Sequence, residues 1–260
     1  KNGLFQGGSK QLDDLSNASS WTIEAWVRQT SRLSTNAQGS GVWLGINSSS
    51  GTNLILLRSK NGNNNGWDAW IGGSTNDYIT SGTHSVWNYD WQHQAVVWDG
   101  TKFKYYSDGK YIGEFTAGNV INSGSYFTLF NELDASAPNL GMDNHCCGMA
   151  LDSLRITSGQ ALYTTSTTTA GDTVFTPGDI TSKTTFTTDG DTSTSSITGT
   201  VTHLLSLPAT LPAEVVKDQA TVNNAGDSNF NPHWIRVGEN AYPNLTGDAK
   251  FGRSSINFTE

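Results

Sequence analysis

Apolar and polar residues alternate with a period of two along most of this chain. In Trp21–Gln29 (WTIEAWVRQ) the residues Trp21, Ile23, Ala25 and Val27 fall on one face and Thr22, Glu24, Trp26 and Arg28 on the other, the spacing of a β-strand. Shorter runs of the same kind occur at 42–46 (VWLGI), 54–58 (LILLR), 67–71 (WDAWI), 126–130 (YFTLF) and 149–157 (MALDSLRIT), with brief strand starts at Leu4-Phe5 and Tyr78-Ile79. Nowhere do apolar residues recur at i, i+3, i+4 and i+7 between caps, so no helix is expected.

The stretch Trp91–Gly113 (WQHQAVVWDGTKFKYYSDGKYIG) carries the clearest signal. Asp99-Gly100 and Asp108-Gly109 each separate strand-like runs, and Asp-Gly suits a type I′ turn, which needs φ > 0 at both central residues. The prediction is a three-stranded meander. Gln94, Val96 and Trp98 share one face of its first strand and His93, Ala95 and Val97 the other. Neither set is purely polar, so this strand is expected to be covered on both sides.

Turn signals every 8 to 12 residues point to an antiparallel sandwich. Residues 131–147 (NELDASAPNLGMDNHCC) read as a long polar loop. Residues 164–200 are dominated by Thr with Ser, Gly and Asp, the composition of a linker or extended surface segment. Strand-like residues resume at 201–207 (VTHLLSL) and 233–237 (HWIRV).

Composition narrows the class. The 260 residues are 35% hydrophobic and only 15% charged, with 28 Gly and abundant Ser, Thr and Asn, a profile of β-rich extracellular or virion proteins. A net charge of −8 and a pI near 5.0 argue against nucleic acid and anionic membranes as partners. No apolar run reaches 18 residues, and no signal-peptide pattern opens the chain. A start at Lys1 without Met reads as a processed chain or a fragment. The only cysteines, Cys146 and Cys147, are adjacent. They exclude a disulfide framework and leave open a vicinal bridge or two small thiols.

The segments WTIEAWVR, LILLR…WDAWIGG, WQHQAVVWDGTKFKYYSDGKYIG and MALDSLRITSGQALYTT follow the order and approximate spacing of laminin G-like domains. The resemblance covers about residues 2–165. It implies an all-β, antiparallel jelly-roll β-sandwich of the concanavalin A-like lectin/glucanase type. The variety it looks most like is found in phage and virus tail fibres, other appendages and bacterial surface proteins. Departures are HQAVV for the usual HVAV strand, LDSLRI for IDDLRI, and no apolar strand before GLFQGG. VTHLLSLP and FGRSSINFTE resemble the opening landmarks of such a domain again. The expected organisation is therefore a sandwich at 1–165, a Thr/Ser-rich linker or extended segment at 166–200, and at 201–260 either the start of a second repeat or strands completing the first sandwich, in the same chain or in a neighbour.

The resemblance also frames the chemistry. Hydrolases on this fold need two carboxylates about 5–5.5 Å apart for a retaining mechanism. The sequence has no Glu-x-Asp-x-x-Glu run, Glu24 and Asp152 each stand alone in their strands, and none of the five histidines sits in a catalytic motif. The expectation is a non-catalytic structural or adhesion module of a virion appendage or cell surface that binds glycans. Its partners would be copies of itself, other structural proteins of the assembly and host glycans. The alternatives are a soluble Ca²⁺-dependent lectin and a degenerate glycan hydrolase. Lectins set an aromatic face against the sugar ring and amides or carboxylates against hydroxyls. Trp67, Asp77, Tyr78 and Trp87 are the carbohydrate candidates. No cofactor is required. Ca²⁺, which many relatives bind with six to eight oxygens, would be held by Glu132, Asp134, Asp143 and Asn144.

Overall fold

A computed structural model of the chain describes residues 5–7, 10–29, 40–48, 50, 52–60, 66–72, 78–80, 90–129, 149–190, 192–206, 243–246 and 255–258. The first sheet has six strands: β1 (Phe5–Gly7), β3 (Ser40–Asn47), β4 (Asn53–Lys60), β5 (Gly66–Ile71), β6 (Tyr78–Thr80) and β10 (Tyr126–Leu129), in the order β1-β10-β3-β4-β5-β6. The second contains β2 (Trp21–Gln29), β7 (Gln92–Trp98), β8 (Lys102–Ser107), β9 (Lys110–Thr116), β11 (Met149–Ser158), β14 (Thr200–Ser206), β15 (Pro243–Thr246) and β16 (Ser255–Phe258). Its order is β15-β16-β11-β2-β7-β8-β9, with β14 also paired to β11. A separate hairpin joins β12 (Thr185–Asp189) to β13 (Ser193–Ser196). All the strand ladders are antiparallel.

The strand period explains the core. Trp21, Ile23, Ala25 and Val27 from β2, Val96 and Trp98 from β7, Phe103 and Tyr105 from β8, and Leu154 and Ile156 from β11 face Leu44, Ile46, Ile55, Leu57, Trp67, Ala69 and Ile71 of the other sheet. Full burial of each large side chain contributes about 1.5–3 kcal/mol. One helix, α1 (Lys10–Ser16), departs from the all-strand expectation. At seven residues it is too short to show a full helical repeat. Leu12 and Leu15, three apart, are both buried and plug the inter-sheet core.

The two Asp-Gly turns differ. At Asp108-Gly109 both residues have positive φ (51° and 71°), as expected for type I′. At Asp99-Gly100 only the glycine does, with φ 101°. There the Asp99 carboxylate organises the turn instead, Oδ1 accepting from Thr101 N (3.0 Å), Thr101 Oγ1 (2.9 Å) and Lys102 N (2.9 Å).

Every residue of β7 is buried, so the strand is covered on both faces as its sequence predicts. The cover of the second face comes from 161–197. Most of residues 166–200, with the composition of a linker or an extended segment, lies together with 161–165 across the outer face of the eight-stranded sheet as a strap. Leu162, Tyr163, Phe175 and Phe186 pack there with Ala95, Val97, Tyr106 and Tyr111 as a second apolar cluster. The strap first pairs with the β9 edge: Tyr111 N donates to Asp172 O (2.9 Å), Gly171 N to Tyr111 O (2.7 Å) and Val174 N to Gly109 O (2.9 Å). Gly109 thus serves twice. Its φ makes the turn, and a Cβ there would stand 1.9 Å from the Phe175 carbonyl oxygen.

Candidate functional site

Beneath the strap lies a cluster of charged and polar side chains. β2 contributes Glu24, β7 His93 and β11 Arg155. The antiparallel register sets Arg155 and Ala95 opposite Glu24 on its two neighbours. Glu24 Oε1 accepts from Arg155 Nε (2.8 Å), and Nη2 of the same guanidinium lies 2.7 Å from that oxygen as an ion-pair contact. Glu24 Oε2 receives His93 Nε2 (2.9 Å) and the hydroxyl of Tyr163 (2.8 Å) from the strap. Burial would raise the Glu24 carboxyl. The Arg155 charge, with the His93 and Tyr163 hydrogen bonds, overrides it and holds Glu24 at about 2. An ionised Glu24 requires the His93 proton on Nε2. That leaves Nδ1 as a buried nitrogen without a partner. Burial, and next the Glu24 charge, push the Tyr163 phenol well above its ordinary range.

The same face grips the strap by its backbone. Arg155 Nη1 donates to the carbonyls of Ser182 (2.9 Å) and Thr185 (3.0 Å), and Trp26 Nε1 to Gly178 O (2.9 Å). Tyr106 donates to Thr165 O (2.9 Å) and Lys104 Nζ to Thr164 O (2.6 Å). Tyr163 stacks on Phe175 with centroids 3.9 Å apart, and His93 meets Trp26, Tyr163 and Phe175 edge-on. A carboxylate, an imidazole and a phenol in contact are the types used for acid–base chemistry. Here both oxygens of Glu24 are engaged, and Glu24, His93 and Arg155 are 0% exposed. The cluster is a lock between strap and sheet. Glu24, the only carboxylate in its own strand, is the centre of this lock.

The second polar site lies on the outer face of the six-stranded sheet. In β5 the alternation sends Trp67, Ala69 and Ile71 inward and Asp68 and Trp70 outward. Trp67, a sugar-platform candidate on sequence, is 1% exposed and donates from Nε1 to Gln92 Oε1 (2.5 Å). Its ring is part of the core, with no face turned to a ligand. Trp70, three residues on, is half-buried. Register places Leu56 of β4 and Tyr78 of β6 on either side of Trp70, and Arg58 and Thr80 on either side of Asp68. Arg58 forms a forked pair with Asp68, Nε to Oδ1 at 2.7 Å and Nη2 to Oδ2 at 3.4 Å. Among the described tryptophans, Trp21, Trp26, Trp43, Trp67 and Trp98 are buried. Trp91 is half-buried with the Arg28 guanidinium 5.4 Å from its ring centroid.

Of the carbohydrate candidates, Tyr78 therefore takes the register position beside Trp70, while Asp77 and Trp87 lie outside the described residues. Glu132, Asp134, Asp143 and Asn144, the Ca²⁺ candidates, also lie outside them, as do Cys146 and Cys147. Among the described residues no group of three or more His, Cys, Asp or Glu side chains could hold a metal ion. No helix among them is long and apolar enough to cross a membrane. The sequence does not single out Trp70; its opposite parity to Trp67 in one strand shows that the two rings face opposite sides, without showing which side is inward. The Glu24–Arg155 contact joins residues 131 apart and carries no local signal.

A laminin G-type family model of the concanavalin A-like lectin/glucanases superfamily matches residues 6–160. The chain belongs to this family. The laminin G-like match ends where the strap begins. No curated protein matches the sequence. Among solved structures, a native heptameric SAP-like pentraxin from Limulus polyphemus aligns with TM-score 0.45 and 16% identity over 60% of this chain and 68% of that one. Domain 4 of AbnA, a GH43 extracellular arabinanase from Geobacillus stearothermophilus in complex with arabinotriose, aligns with TM-score 0.40 and 19% identity over 57% and 65%. The full extracellular region of zebrafish Gpr126/Adgrg6 aligns with TM-score 0.40 and 15% identity, over 66% of this chain but 24% of that one.

Proposed function

We propose that this laminin G-like sandwich is a non-catalytic adhesion module, displayed on a virion appendage or cell surface, that binds glycans across the outer face of the six-stranded sheet around Trp70. The observation that carries the reading is the pairing of a half-buried Trp70 with the Tyr78 register position, one row from the Arg58–Asp68 fork. A half-buried aromatic ring on the sheet's outer face supplies a surface for a sugar's apolar face, and Arg58, which keeps partial exposure while paired to the buried Asp68, supplies a donor for a hydroxyl. The non-catalytic part is supported by two of the buried carboxylates among the described residues. Glu24 and Asp68 are each ion-paired to arginine, and Glu24 is sealed beneath the strap. The low-charge, Ser/Thr/Asn-rich composition fits an extracellular or virion setting.

The test is a glycan array probed with the full chain and with Trp70→Ala, each with and without chelator, alongside a reducing-end assay on any glycan bound. The reading expects binding that chelator leaves intact, a tenfold or greater loss in Trp70→Ala, and no turnover. Binding abolished by chelator would instead favour the Ca²⁺-dependent lectin. Turnover would favour a hydrolase, and no binding by the parent chain would overturn the glycan reading.

A further inference from the structure

The outer edge of β11 is shared by two strands that are distant in sequence. Ser153–Ser158 pairs with β14, whose last register pair is Ser206 with Ser153. Met149–Leu151 pairs with β16, as Met149 with Phe258, Ala150 with Asn257 and Leu151 with Ile256. Both strands run antiparallel to β11, so β16 lies in line with β14 and continues its direction. The sequence shows why β14 does not continue the ladder itself. A straight extension would bring Pro208 alongside Leu151, and proline has no N–H to donate to a ladder. The edge at Met149–Leu151 is therefore left for another strand. It is filled from beyond the 36 residues 207–242, by a hairpin whose other strand, β15, pairs with β16.

We propose that this edge is a strand-acceptor seam through which copies of the chain join, the β15–β16 hairpin of one copy completing the eight-stranded sheet of the next. The occupant is backbone-specified: three register pairs supply ladder bonds that an identical copy reproduces in full. Such a short ladder opens at low cost, and an open strand edge is a template for another chain. Closure within one chain does not depend on concentration whereas pairing between copies does, so closure is favoured at high dilution and exchange gains as copies are concentrated. The seam is independent of the glycan site at Trp70, which lies on the other sheet.

The test uses full-length chains with Cys146 and Cys147 replaced by serine. Opposed residues in an antiparallel pair have Cα atoms about 4.5–5.5 Å apart, within disulfide range. Ala150→Cys and Asn257→Cys, made separately, are mixed at about 1 mM and oxidised, and the double variant serves as control for register and folding. The expected result is a mixed disulfide dimer at least tenfold in excess of either homodimer, nearly absent at about 1 µM, while the double variant at that dilution closes within one chain. Crosslinking of the double variant within one chain at every concentration, with no mixed dimer, would overturn the seam. Failure of the folded double variant to crosslink at all would also overturn it.

Discussion

The two faces of the eight-stranded sheet are both buried but by different means. The inner face is apolar and meets a second sheet with the same period, so Trp21, Ile23, Leu154 and their neighbours are sealed by interdigitation. The outer face carries Glu24, His93, Arg155, Trp26, Lys104 and Tyr106, and it is sealed by the strap through backbone carbonyls and three aromatic anchors. Burial on the inner face depends on area and tolerates graded change. On the outer face it depends on a closed polar network, where loss of one member strands the others. A Ser/Thr-rich stretch can thus complete a core when the sheet supplies the donors and the stretch supplies carbonyls.

The sharpest break in this contrast is Glu24→Gln. It leaves Arg155 buried without its counter-charge, and the expected loss is about 3–5 kcal/mol. Denaturant unfolding would show the lowered midpoint, and a lowered m-value would show the strap released before the sandwich. On the inner face Leu154→Ala is expected to cost about 2–5 kcal/mol by cavity formation, with m unchanged. A change in m for Leu154→Ala but not for Glu24→Gln would reverse the assignment of the two faces.

The pH dependence belongs to the outer face. The Glu24 carboxyl lies at about 2 in the folded chain against 4.5 as its ordinary value. A depressed pKa stabilises above the unfolded value and is lost as pH falls through the folded one. The contribution of Glu24, about 3 kcal/mol from the size of that shift, is therefore present above roughly pH 5 and disappears between pH 4.5 and 2. Unfolding free energies of the parent and of Glu24→Gln, measured from pH 6 to 2.5, should converge as pH falls. Parallel curves would mean that Glu24 does not carry the lock. The smallest effect expected is Lys104→Met, which removes the bond to Thr164 O while keeping the stem packed. It should cost about 1 kcal/mol. A loss as large as that of Glu24→Gln would place the lock at the wrong end of the strap.

The strands and the hairpins of the meander were legible because period-two alternation and Asp-Gly turns are local signals. Full cover of β7 was legible too, from His93, Ala95 and Val97 on its second face. The identity of the cover was not. Tyr163, Phe175 and Phe186 are single aromatics separated by eleven and ten mostly polar residues, and no period links them. The lock was equally hidden, since Glu24, His93, Arg155 and Tyr163 meet only through strand register and strap docking. For the candidate site, sequence brought Tyr78 to notice but chose Trp67 over Trp70. The presence of tryptophan in a strand is visible in sequence, whereas which parity faces the partner sheet depends on neighbouring strands.

Native-state hydrogen exchange tests the strap most directly. The amides of Val174 and Thr176, bonded to Gly109 O and Thr188 O, should exchange with opening free energies within about 1 kcal/mol of those of Ile23 and Val96 in the sheet. That result would place strap and sandwich in one cooperative unit. Rapid exchange of Val174 and Thr176 while Ile23 and Val96 stay protected would contradict the account, because the Glu24 cluster would then lie under a cover that opens freely.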